Sequence, residues 1–145
     1  MIAWSNRQRV VPAAELQLEM TRRAVGRALP DVFSARRRGS VLAGLDAVAV
    51  VLVSDRRIAA LHGEFMGDPS PTDVITFLHG EVVVSAETAR REARARGLPV
   101  PREVALYAIH GLLHLAGWTD TDPRSAAAMR AMQGKILRRA ARGVC

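Results

Sequence analysis

Hydrophobic positions along the chain change their period several times, and each change predicts an element. Ile2, Ala3 and Trp4 form a short strand candidate. Over residues 12–29 the pattern turns helical, with Leu18, Val25 and Leu29 on one stripe and Pro30 expected to stop the helix. Residues 34–44 set Arg36, Arg37 and Arg38 among small residues and read as an exposed loop. Residues 45–53 are dominated by valine and bounded by Gly44 and Ser54, the composition of a strand buried on both faces. Ser54 is expected to cap a helix whose stripe is Ile58, Leu61 and Phe65, with Gly63 weakening its last turn. After the breaks at Pro69 and Pro71, residues 74–77 and 81–84 predict a hairpin turning at His79 and Gly80. Ser85 opens another helix, ending at Gly97 and Pro99, with Glu87–Arg91 and Glu92–Arg96 as four-apart ion pairs on its wet side. A greasier helix follows from Pro101, and residues 123–142 form the last one, burying Met129, Met132 and Ile136. Strands and helices interleave without strict alternation. The expected class is therefore α+β, a small mixed sheet of about four strands covered by about five helices, with residues 1–145 as a single domain.

Composition narrows the class of partner. With 145 residues, 49% of them hydrophobic, the chain can bury a real core. No apolar run is long enough to span a membrane and no leader pattern is present, so the cytoplasm is the default expectation. The only cysteine is Cys145, which excludes an internal disulfide framework and fits a reducing compartment. The net charge is +7, and of 21 basic residues only Lys135 is a lysine. A GC-rich coding bias accounts for arginine in place of lysine, but not for the excess of positive charge. That excess favours a polyanion, since each arginine meeting a phosphate releases counterions and bonds two oxygens. Aromatic residues make up only 4% of the chain, so binding is expected to lean on backbone phosphates rather than on base-stacking platforms.

The candidate chemistry lies in residues 103–116. They contain no proline, and Val104, Tyr107, Ile109, Leu112, Leu113 and Leu115 mark a buried helix. His110 and His114 are four apart on it, which puts both imidazoles on one face about one turn from each other. Two such nitrogens can bind one metal ion. Gly117 is expected to end the helix in the left-handed conformation and let the chain turn back with Asp120 as a third ligand. Two histidines and a carboxylate leave a fourth position open on a tetrahedral metal, the pattern of a catalytic site. The competing readings are a histidine pair satisfied inside the core and an aspartate that serves a turn. Asp122, before Pro123, has the better claim to a capping role. Zinc peptidases share the His-x-x-x-His spacing, but Gly111 stands where they carry a general-base glutamate.

The run His-Gly-Leu-Leu-His-Leu-Ala-Gly-Trp-Thr-Asp at 110–120 resembles the His-Gly-x-Leu-His-Leu-x-Gly-Tyr-Asp-His signature of the YbeY-type endoribonucleases, bacterial rRNA maturation factors. Pro-Thr-Asp-Val-Ile-Thr-Phe at 71–77 is similar to that family's Pro-Thr-Asp-Val-Leu-Ser-Phe, and Gly-Glu-Val-Val-Val-Ser at 80–85 to its Gly-Asp-Ile-Val-Ile-Ser strand. The resemblance implies a zinc-hydrolase-like fold with one zinc ion per chain and cleavage of single-stranded RNA. It also implies a role in small-subunit rRNA maturation and ribosome quality control. Ribosomal small-subunit or assembly proteins are the implied partners, with no DNA and no membrane. By position, His110 and His114 match the first two zinc ligands, and Asp120 occupies the third, a histidine in the family. These three are the expected metal and catalytic residues.

A carboxylate at the third position lowers the net charge at the metal and leaves a bound water less acidic. Trp118 and Thr119 replace a tyrosine and an aspartate, Gln133 replaces a glutamate of the last helix, and the hairpin loop is shorter than usual. Met66 falls where the family carries an arginine thought to stabilise the reacting phosphate. Arg56 and Arg57 are the nearest replacements in sequence, and with Arg36, Arg37 and Arg38 they make up the candidate RNA-binding set. His79, in the hairpin turn, is a candidate base. The main alternative to an enzyme is a non-catalytic ribosome-assembly or RNA-binding factor with the same fold.

Overall fold

The structure, a computed structural model, describes residues 1–145. The valine-rich strand β2 (Val48–Val53) lies inside the sheet and is buried on both faces, as its composition predicts. Strand β1 (Ile2–Asn6) runs parallel on one side of it, with Ile2 opposite Val48. Strand β4 (Glu81–Ser85) runs parallel on the other side, with Val50 opposite Val82. Strand β3 (Val74–Phe77) forms the expected hairpin with β4 and leaves one edge unpaired, so the order is β1-β2-β4-β3. The helices are α1 (Ala13–Leu16), α2 (Leu18–Ser34), α3 (Asp55–Met66), α4 (Ala86–Arg96), α5 (Val100–Leu115) and α6 (Pro123–Ala141). The class is α+β with a four-stranded mixed sheet, five long helices and the single turn α1. No helix is long and apolar enough to cross a membrane.

The pleat divides each strand between two cores. Val50, Leu52, Val82 and Val84 face a cluster of 30 buried residues shared with α2, α4, α5 and α6. Val51, Val53, Ile75 and Val83 face a cluster of five completed by Ile58 of α3. The same alternation turns Thr76 of β3 towards α5 and Phe77 towards α3. Helix α5 is the central element of the thick side, with twelve buried residues, and it approaches the sheet very closely at Gly111. A Cβ there would lie 2.5 Å from Val82 Cγ1 and 3.1 Å from Thr76 Oγ1. Glycine is needed at this point because backbone meets side chain with no space between them.

Several sequence expectations are corrected. Pro30 does not stop a helix: α2 continues through it to Ser34, because Val32 in the added turn is fully buried and its packing outweighs the lost backbone bond. The helix breaks earlier instead, at Gln17, whose φ of 44° separates α1 from α2. Pairing in β2 starts at Val48 rather than at residue 45, since β1 begins only at Ile2 and the first bond, from the Val48 N–H to the Met1 carbonyl, is made there. Phe65 is 58% exposed rather than part of a buried stripe, because α3 has only one thin core to cover. Glu87 and Arg91 do not pair: Arg91 bonds Asp55 at 2.8 Å, and Glu87 accepts the Asp55 backbone N–H. Asp55 also accepts the hydroxyls of Ser85 and Thr88. Burial alone would raise its pKa, but these bonds together hold it below the usual carboxylate range. Glu92 and Arg96 do pair, at 3.7 Å. The 34–44 loop is anchored rather than free, with Leu42 buried and the Arg37 N–H bonded to the Ala116 carbonyl.

The close approach at Gly111 makes a direct prediction. Gly111→Ala is expected to cost about 1–3 kcal/mol through overpacking, despite the better helix propensity of alanine. Urea denaturation should show the double variant with Val82→Ala losing less than the sum of the two single changes. A neutral Gly111→Ala would disprove the contact.

Candidate metal centre

The centre is built at the C-terminal end of α5. Apart from one face the helix is enclosed, and that face carries His110 and His114, whose side chains are 23% and 24% exposed. Gly117, at φ 95°, ends the helix in a Schellman turn. The Trp118 N–H bonds the Leu113 carbonyl and the Gly117 N–H bonds the His114 carbonyl. Glycine is required twice over, because a Cβ there would also press on Arg37 and Ser40. The turn aims the Trp118 carbonyl back at His114, whose Nδ1 donates to it at 3.0 Å. His110 Nδ1 lies 2.7 Å from Gln133 Oε1 on α6. With both Nδ1 atoms protonated, both Nε2 atoms keep free lone pairs, the tautomer a metal needs.

Those lone pairs converge. The two Nε2 atoms are 3.0 Å apart, and Asp120 Oδ2 is 3.6 Å from that of His110 and 3.5 Å from that of His114. Ligands about 2.0–2.1 Å from a tetrahedral zinc ion lie about 3.3 Å from one another. The three donors therefore fit a zinc-sized ion in spacing and chemistry, and the expected set His110, His114 and Asp120 is brought together. Asp122, not Asp120, caps α6, accepting the Ser125 N–H. Burial, and then the neighbouring His110, hold the His114 pKa below the usual histidine value.

Two open clefts meet at this centre, about 730 Å³ and 400 Å³ in volume, and both include Thr72, Asp73, His110 and Asp120 in their walls. The larger runs along α4, α5 and α6 past Arg91, Arg96 and Arg130; the smaller is bounded by Met66, Leu78 and Trp118. Gly111 faces Val82 rather than the metal position, so the site has no room for the glutamate of a zinc peptidase.

The candidate arginines divide by location. Arg37 stacks on Trp118, its Cζ 4.1 Å from the ring centroid, and Arg36 and Arg38 belong to the same loop. Arg56 and Arg57 lie at the start of α3, about nine residues or roughly 13 Å along the helix from Met66, and line neither cleft. His79 lies outside both clefts, 70% exposed and stacked on Phe77. Sequence reasoning passed over Arg130. Its signal was available, since it precedes Gln133 by three positions and so shares that residue's face of α6.

Residues 6–141 match the family model described as Endoribonuclease YbeY. The chain belongs to the YbeY endoribonuclease family. Among YbeY relatives, an Endoribonuclease YbeY of Thermus thermophilus is 37% identical over 102 residues, covering 62% of this chain and 73% of its own. That of Heliobacterium modesticaldum is 31% identical over 112 residues, covering 63% and 68%. A solution structure from Thermotoga maritima superposes with a TM-score of 0.62 at 25% identity, covering 97% of this chain and 89% of the other. The resemblance drawn from the motifs is thus borne out at the level of the YbeY family and its fold.

The depressed pKa of His114 predicts a pH dependence. The metal-free native state binds fewer protons at this site than the unfolded chain just below pH 6.5, so stability falls as pH drops through that range and the slope ends below the lowered native pKa. Urea unfolding of chelator-treated protein should show this loss on going from about pH 7 to 5.5. His114→Gln should flatten the slope, and an unchanged slope would show that His114 is not the group responsible.

Proposed function

We propose that the protein is a zinc-dependent endoribonuclease that cuts single-stranded RNA, with precursor rRNA of the small subunit as substrate and a part in ribosome quality control. In this reading residues 1–145 act as one metallohydrolase domain in the cytoplasm, alongside ribosomal small-subunit or assembly proteins. The observation that carries it is the convergence of two lone-pair imidazoles and a carboxylate at the junction of two clefts. The relatives' common name, endoribonuclease, supplies the class of reaction.

When bound, zinc would supply Lewis acidity, lowering the pKa of water towards neutrality and polarising a phosphoryl oxygen. The residues of this chain do the rest. His110, His114 and Asp120 would hold the ion, and Gln133 and the Trp118 carbonyl fix the rings in the required tautomer. An unpaired strand lying across the junction brings a phosphodiester over the triad, with its flanking nucleotides in the two clefts. Of the arginines along the larger cleft, Arg91 is committed to Asp55 and Arg96 to Glu103 and Glu92. Arg130 is the one assigned to a flanking phosphate, and the Arg36–Arg38 loop extends the basic surface beyond Trp118. A second reading, a non-catalytic assembly factor, is favoured by Met66, which lies 55% exposed on the smaller cleft where the resemblance expects an arginine.

The two readings separate in one set of measurements. Protein purified without chelator should contain about one zinc per chain, in line with a three-ligand open site, and should cut single-stranded RNA in a chelator-sensitive way. His114→Ala and Asp120→Ala should lose the metal and at least about 100-fold in cleavage rate. Stoichiometric zinc without cleavage would point to the assembly factor instead, and absence of metal from every preparation would defeat the metal claims.

A further inference from the structure

The thin side of the sheet carries a feature that the metal centre does not use. Phe65 of α3, Phe77 of β3 and His79 of the hairpin turn form one aromatic cluster. Phe65 meets Phe77 edge to face with centroids 5.2 Å apart, and Phe77 and His79 stack at 5.6 Å with 19° between their planes. The cluster borders a concavity of about 320 Å³ floored by Val51, Val53 and Val83 and flanked by Arg7 and Arg57. The one acid in its wall, Glu81, lies 3.5 Å from His79. Three of the eight exposed large hydrophobic side chains, Phe65, Met66 and Leu78, gather at this corner, which exceeds the scatter of apolar residues normal for a surface.

The corner is continuous with the metal centre. Met66 and Leu78 follow Phe65 and Phe77 in the chain, and they wall the smaller cleft beside His110 and His114. The edge strand β3, paired with β4 on one side and free on the other, lies between the two surfaces. We propose that the Phe65–Phe77–His79 cluster, with Arg7 and Arg57, is a stacking platform for unpaired RNA bases, holding a strand that wraps over β3 from the metal centre. Exposed rings take bases of any sequence on their faces, while flanking guanidinium groups meet the phosphates between them. Charge selects the occupant: an apolar protein surface laid here would bury the charges of Arg7 and Arg57 without a counter-charge, whereas a nucleic acid strand supplies an anion to each. The proposal rests on the nuclease reading only for the kind of ligand.

The test is binding of a fluorescein-labelled oligouridylate of about 16 nucleotides, followed by anisotropy with EDTA present to suppress cleavage. Phe65 is exposed on a helix surface, so Phe65→Ala should leave the unfolding midpoint nearly unchanged while weakening binding about 5- to 150-fold. Phe65→Tyr should restore affinity, and Arg57→Ala should reduce the slope of log affinity against log salt by about 0.7. The same series in a His114→Ala background separates the two proposals, since dependence on Phe65 should persist there even if the protein cuts nothing. Unchanged affinity in Phe65→Ala, the result expected of a patch that serves a protein partner, overturns the platform. So does a loss that Phe65→Tyr fails to restore.

Discussion

Two imidazole nitrogens held 3.0 Å apart, each presenting a lone pair, repel one another unless positive charge lies between them. The protein maintains that arrangement by fixing the far side of each ring. His114 can only donate from Nδ1, because its partner is a carbonyl oxygen, and His110 is matched by the Gln133 amide. A proton or a cation is the physical answer to the pair, and the Asp120 carboxylate beside both nitrogens favours either. Burial of His114 disfavours the protonated ring. Under the proposed reading a divalent ion would take that place, and the packing around α5 together with the Gly117 turn holds the geometry.

Helix α5 cannot rotate or slide, because its other faces are packed and Gly111 lies directly against Val82. Its end is equally constrained. The Schellman turn at Gly117 sets the direction of the Trp118 carbonyl, and the Trp118 indole in turn donates to the Ala35 carbonyl while Arg37 covers its face. Thus the loop after α2, distant in sequence, braces the ligand loop. If His110, His114 and Asp120 hold a dication as proposed, two neutral ligands and one anion would leave it one positive charge less than three imidazoles would. Acidification of a water there would be correspondingly weaker, and the basic surface around the clefts would have more of the phosphate charge to neutralise.

The convergence of His110, His114 and Asp120 was legible in the sequence because its determinants are local: a four-residue spacing, a glycine stop and an acid three residues beyond it. Two short β-prone runs at residues 74–77 and 81–84, joined at His79 and Gly80, gave the hairpin for the same reason. What could not be read depends on distant partners. Pro30 stays inside α2 because Val32 finds a core, and Arg91 abandons Glu87 for Asp55 on another helix. The three rings at the sheet corner come from two elements and a turn, so a chain with few aromatics still assembles a cluster that composition argued against. Gly111 lies between these cases. Its identity excluded a peptidase glutamate at once, but the reason glycine is needed, the side chain of Val82, lies in a strand 29 residues earlier.

The parallel pairing of β1 with β2 joins residues 46 positions apart, and the helix that packs on β3 and β4 follows all four strands in the chain. During synthesis the valine faces of the sheet and the apolar stripe of α2 emerge before residues 100–115 exist to shield them. The nascent chain therefore passes through an interval of exposed strand surface. Residues 100–115 bring in the histidines, but Asp120 and the α6 side of the core follow them, so the core closes and the three donors meet only once the last part of the chain has been made.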